Sequence, residues 1–262
     1  MKKFIKEYEI WIFLVLAPLF NTIFVYSKIQ GLIPDFAYSH GRFYLLLLLL
    51  LFIVRYTKGK KGIKDIFKPM KNWKINPVWY LFSFLFALTI GSITLLIKSF
   101  YTDTDYASMY VINIPLLKQT FNILVWAFVG EVVWVSYSVR ELAKKTSLFY
   151  ASQIVGVFWT LWWIPVVYLN VSVITDLPVW ALLLNMMGAA GMCAYVYGNT
   201  KSGTCVWVLQ FMLNMSLVIL PVSPAVGGAA TYTIFSILYF VTMLGFMYFM
   251  NTEMKLKVVK QI

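Results

Sequence analysis

Long apolar runs separated by short polar clusters set the rhythm of this chain. The first four extend roughly from Ile10 to Tyr26, Phe43 to Val54, Pro77 to Ile97 and Phe121 to Val139. Four more cover Leu148 to Leu169, Pro178 to Tyr197, Cys205 to Val222 and Thr231 to Met250. A helical bilayer crossing takes about 20 predominantly apolar residues. The pattern therefore predicts an all-α, polytopic integral membrane bundle of about eight transmembrane helices. The second run is too short for a full crossing unless Asp35 to Arg42 lie partly among the headgroups. Spans and turns together use up nearly all of residues 1–262, which predicts a single membrane domain.

Composition agrees, with 61% hydrophobic and only 12% charged residues and a mean hydropathy of +0.78. Soluble domains carry about 25% charged residues. The net charge of +12 would suit nucleic acid if the basic residues shared one soluble face. They fall instead in clusters between apolar runs, the signature of cytoplasmic loops beside anionic headgroups. A bilayer partner is expected and nucleic acid is not. With the N-terminus inside, the cytoplasmic segments hold Lys2, Lys3, Lys6, the cluster from Arg55 to Lys74, Arg140, Lys144, Lys145, Lys201 and the C-terminal lysines, Lys260 included. The outer segments keep only Lys28, Arg42, Lys98 and Lys118, with Asp35, Asp103, Asp105 and Asp176. Both termini are thus expected in the cytoplasm, at a bacterial plasma membrane. The basic start resembles a signal sequence, but Glu7 and Glu9 interrupt it, so a retained first span is expected. The long basic stretch from Arg55 to Lys74 reads as a solvated loop.

Few polar groups interrupt the spans. Glu131 is the acidic residue nearest the centre of one, where an ionised side chain costs about 2.5–3.5 kcal/mol on insertion scales. It is a functional candidate, against the alternative of a protonated carboxyl hydrogen-bonded to a neighbouring helix. Gln210 and Asn214 stand four apart and share a helix face; as amides they serve equally well as interhelical glue. Trp159, Trp162 and Trp163 crowd the fifth span before Pro165. His40, the one histidine of the chain, is expected in an outer loop. Cys193 and Cys205 show no metal or disulfide spacing, and neither a metal nor a cofactor is implied.

These residues come in an order that resembles the CPBP family of intramembrane proteins, also called Abi or CAAX-protease-like. The family's first motif is Glu-Glu-x-x-x-Arg, commonly within Glu-Glu-Ile-Gly-Trp-Arg-Gly-Tyr. Here the stretch reads Gly130-Glu131-Val132-Val133-Trp134-Val135-Ser136-Tyr137. Aligning Trp134 and Tyr137 puts Gly130 on the first glutamate, Glu131 on the second and Val135 on the arginine. A slide by one residue puts Glu131 on the first glutamate and Ser136 on the arginine, at the expense of both aromatics. The second motif, an aromatic followed four residues later by histidine and x-Pro, corresponds to Trp159 through Pro165, with Trp163 at the histidine. The third, His-x-x-x-Asn, corresponds to Gln210 through Asn214. The motifs run from about Phe128 to Asn214, inside a CPBP-like core of about 116–222.

The resemblance implies an eight-helix bundle whose fourth, fifth and seventh spans surround a conical cavity lined by Glu131, Trp163, Gln210 and Asn214. In the family's proteases it implies glutamate and histidine activating a water, with histidine and asparagine supporting the oxyanion. Indole has no basic nitrogen and a side-chain amide is not a useful base, so Trp163 and Gln210 cannot replace two histidines. The substitutions at Gly130, Val135, Trp163 and Gln210 point to a pseudo-protease. Such a protein would bind a hydrophobic or prenylated peptide, a lipid or a membrane partner, in an immunity, export-accessory or regulatory role. The alternative is an active endopeptidase with Glu131 as base and Gln210 and Asn214 as oxyanion donors. A transporter or channel component is the third reading.

Overall fold

In a computed structural model that describes residues 2–169 and 177–259, the chain is a bundle of long helices. These are α1 (Glu9–Ile29), α2 (Asp35–Ile66), α3 (Pro77–Thr102), α4 (Leu117–Gly130 and onward), α5 (Leu148–Tyr168), α6 (Val179–Thr200), α7 (Gly203–Ile219) and α8 (Ala229–Val259). Each is long and apolar enough to cross a bilayer, so eight spans are found among the described residues. Asp176 and Lys260, assigned from sequence to the outer and inner sides, lie outside the described residues. An even number of crossings brings the two ends of the bundle to one side. We call this the basic face, since the lysine-rich turns share it.

Helix ends follow local chemistry. Pro77 opens α3 behind Asn76, whose side chain accepts from the Val78 N–H at 3.0 Å. Ser147 and Ser202 cap α5 and α7 in the same way, through Tyr150 N–H at 3.2 Å and Cys205 N–H at 3.1 Å. Such caps satisfy donors that a helix start leaves open.

The second span reaches crossing length because Asp35 to Arg42 form the first turns of α2, and His40, expected in a loop, sits on that helix. The stretch after Arg55 is also helical as far as Ile66, interrupted at Gly59, where φ is 66°. Glycine has no Cβ to clash in that left-handed region. The break lets residues beyond 59 leave the line of the span.

Helix α4 is the most enclosed span, with 72% of its apolar window buried; α1, α2 and α8 are buried over 33% of theirs. It lies against α2, α5, α6 and α7, while α6 is clasped between α5 and α8. Small residues permit that clasp. A Cβ on Gly156 of α5 would stand 2.6 Å from Met187 Cα, and one on Gly188 would stand 3.2 Å from Phe240 Cα. Close backbone approach is the usual way membrane helices gain packing energy. Ile23, Leu48, Phe52, Val78 and Phe121 point outward at more than 60% exposure, a surface suited to lipid.

Candidate functional site

The middle of α4 is not an α-helix. From Glu131 to Val139 the chain forms a π-helix before a last α-turn at Arg140–Leu142, and all nine π residues are buried. A π-turn bonds residues five apart and recurs at functional sites. Its geometry brings Ser136 under Glu131: the Ser136 hydroxyl donates to Glu131 Oε1 at 2.6 Å. Ser138 likewise reaches the Val133 carbonyl, five residues back, at 2.8 Å. Ser136 is the residue that the one-residue slide puts in the arginine's place.

Glu131 has 0% exposure, so no water-sized space touches it. Its second oxygen, Oε2, is buried without a hydrogen-bond partner. A Cβ on Gly203 would lie 3.0 Å from Glu131 Oε1, 2.7 Å from Met70 Sδ and 3.1 Å from Pro69 Cβ. The carboxyl group therefore faces the first turn of α7, whose dipole favours negative charge. The short 3₁₀ turn Pro69–Lys71 closes over it from the basic face.

Gln210 comes from α7 and is 2% exposed. A Cβ on Gly130 would meet Gln210 Oε1 at 2.6 Å, so the amide fills the space that a side chain at 130 would need. Its Nε2 has no hydrogen-bond partner, and the Cys193 thiol is close to the same amide. Glu131 and Gln210 thus lie in the packed interior where α4, α6 and α7 meet.

The other two expected cavity residues do not join them. Asn214 is exposed, and its side chain donates to the Gln210 carbonyl of its own helix at 2.8 Å. One helical turn is enough to carry the second amide out of the packed interface. Trp163 is half-buried, and its recorded contacts lie in an aromatic cluster with Trp162, Phe43 and Arg42. Of the four expected cavity residues, Glu131 and Gln210 are buried, Trp163 is half-buried in the aromatic cluster and Asn214 is exposed. Val135, at the arginine position, is fully buried.

Arg42 is the residue that sequence reasoning misplaced. It is 4% exposed, not in an outer segment. Its Nε donates to Asn21 Oδ1 at 2.9 Å, and its guanidinium carbon lies 4.3 Å from the Trp162 ring centre and 4.8 Å from that of Trp163. Asn21 in turn donates to the Trp162 carbonyl at 2.5 Å, three residues before Pro165 disturbs the ladder of α5. The clue was the length of the second apolar run: extending it to a full span carries Arg42 two turns inward. His40 Nδ1, nearby on α2, accepts from Trp126 Nε1 at 3.3 Å.

Glu9 was also passed over, as a mere interruption of the basic start. It is 4% exposed and accepts from Tyr137 Oη at 2.7 Å and from Thr57 Oγ1. Lys58 Nζ pairs with it at 2.8 Å and with Glu141 at 3.2 Å. Among the described residues, no three His, Cys, Asp or Glu side chains converge as metal ligands would.

Fold and site together define an eight-span, all-helical integral membrane protein with a buried carboxyl group on a π-helical stretch of its most enclosed helix. No family model matches the chain. It is 21% identical over 238 residues to CAAX prenyl protease 2 of Methanococcus maripaludis, an alignment covering 85% of this chain and 84% of that protein. The likeness spans most of both chains and supports the CAAX-protease-like resemblance drawn from the motifs.

Proposed function

We propose that this chain is a CAAX-protease-like membrane protein that recognises a hydrophobic peptide or membrane partner without cleaving it. The observation that carries the reading is the enclosure of Glu131, which leaves no place for a water between base and substrate carbonyl. General-base hydrolysis needs that water within hydrogen-bond reach. Two further features support it. Trp163 and Gln210 stand at the motif histidines, and the lone histidine, His40, has its Nδ1 hydrogen-bonded to Trp126. Trp163 is also packed against Arg42, away from any role beside Glu131. In this reading both termini are cytoplasmic and the basic face meets the anionic leaflet.

A second reading, an active intramembrane endopeptidase, draws on the relative's name and on the half-satisfied carboxyl group kept at a costly depth. The two separate in lipid nanodiscs containing membrane-embedded and prenylated peptides, followed by mass spectrometry of the natural protein and Glu131→Gln. Intact peptides that co-purify equally with both proteins are expected. Cleavage by the natural protein and not by Glu131→Gln would establish the protease instead.

A further inference from the structure

The basic face carries a hollow of about 350 Å³ where the end of α2, the end of α4 and the α6–α7 turn meet. Asp65, Lys68, Asn72, Arg140, Tyr197 and Lys201 line it. Arg140 Nη2 and Asp65 Oδ2 neutralise each other at 2.7 Å. Asn72 is engaged with the Thr200 carbonyl at 3.0 Å. This leaves the ammonium groups of Lys68 and Lys201, neither in an ion pair among the described residues, as the hollow's uncompensated charges.

Two observations distinguish the hollow from an ordinary solvated basic loop. Lys201 occupies the left-handed region, φ 54° and ψ 21°, in the tight turn between α6 and α7. Glycine or asparagine is the usual residue there, so a lysine at that place costs conformational energy and leaves its side chain at the mouth. Its ammonium lies 5.7 Å from the Tyr197 ring centre. Second, Trp73 follows directly on the lining segment and is 60% exposed, with Lys74 over its ring at 5.2 Å. Exposed indoles beside lysines sit at headgroup level in membrane proteins.

We propose that this hollow is a binding site for a phosphoryl anion at the bilayer surface, held between Lys68 and Lys201. Basic pockets between spans on the anionic side of a membrane take lipid phosphates by this chemistry. The proposal is independent of whether Glu131 is catalytic.

Native mass spectrometry of the full chain, released from phosphatidylglycerol nanodiscs, would count retained lipid. A parallel arm would use phosphatidylcholine nanodiscs with added inorganic phosphate. The test variant is Lys68→Gln with Lys201→Asn, since asparagine keeps the left-handed turn. The control is Lys60→Gln with Lys61→Gln, on the same basic stretch but outside the hollow. Each ammonium in contact with the anion contributes a charge-assisted hydrogen bond worth about tenfold in affinity, so the test pair should weaken anion retention about 100-fold. The control should change it less than twofold. Loss in the phosphatidylglycerol arm assigns the anion to a lipid headgroup, and loss in the phosphate arm assigns it to soluble phosphate. Equal loss in test and control pairs, or no retained anion in either arm, would overturn the site. Helical circular dichroism of Lys68→Gln alone, on an exposed loop residue, separates lost binding from lost fold.

Discussion

Two buried carboxyl groups in this bundle have opposite surroundings. Glu9 at the basic end of α1 takes hydrogen bonds from Thr57 and Tyr137 and an ion pair from Lys58, so two other helices, α2 and α4, close on it. Glu131 has one hydroxyl, from Ser136, and an oxygen with nothing. The contrast is sharpest at adjacent residues: Ser136 and Tyr137 lie side by side on one π-turn, yet serve different carboxyl groups. Burial alone therefore does not mark a site. A satisfied carboxylate acts as a clasp between helices, whereas an orphaned one is a standing cost that calls for a functional or inherited reason.

If Glu9 is a clasp, removing it should produce the largest loss of stability. Glu9→Ala leaves the buried Tyr137 hydroxyl without an acceptor and strips Lys58 of its closer partner, leaving only Glu141 at 3.2 Å. Breaking such a network costs about 3 kcal/mol. Unfolding measured by denaturant titration in mixed micelles should register that drop. Adding Tyr137→Phe in the same chain should recover about 1 kcal/mol by removing the stranded hydroxyl. A change under about 1 kcal/mol for Glu9→Ala would erase the distinction between the two carboxyl groups.

The Glu131 pocket can be probed through the packing next to it. Gly130→Ala drives a methyl group to 2.6 Å from Gln210 Oε1, a contact that the amide must leave. Overpacking of this kind costs about 1–2 kcal/mol, less than in a rigid core because the Gln210 side chain can turn. Gln210→Ala should relieve the clash, so the double variant is expected to be more stable than Gly130→Ala alone. Simple additivity of the two losses would mean that Gly130 and Gln210 are not neighbours in the folded protein.

Much of this architecture is legible in the amino-acid sequence. Eight apolar runs became eight spans, because run length and breaks report the bilayer directly. Glu131 and Gln210 stand out in the sequence as a charge and an amide against apolar neighbours, and both are buried in the bundle. What stayed hidden depends on three-dimensional register. The shift from α to π at Glu131 leaves no compositional trace, yet it decides that Ser136 meets the carboxyl group. Asn214 follows Gln210 by one turn and still falls outside the interface, since a shared face spans a range of directions. Arg42 and Glu9 were assigned to the aqueous ends because each adjoins an apolar run. Their partners, Asn21 with two tryptophan rings and Tyr137 with Thr57, lie 21 to more than 120 residues away.

The smallest effect, and the one most specific to the comparison, belongs to Glu131 itself. Glu131→Met keeps the volume and removes a group with one hydrogen bond and one orphaned oxygen. Replacing a poorly compensated buried polar group by an apolar one of similar size is commonly neutral or stabilising. Ser136 would lose its acceptor but can turn its hydroxyl to a carbonyl one turn back in α4. The expected change in unfolding free energy is therefore under about 1 kcal/mol, with stabilisation the favoured sign. That is the reverse of Glu9→Ala in the same assay. A loss comparable to the Glu9 variant would mean that the orphaned oxygen has a partner in the membrane-embedded protein, such as a bound water or ligand. Glu131 would then be read as an occupied site.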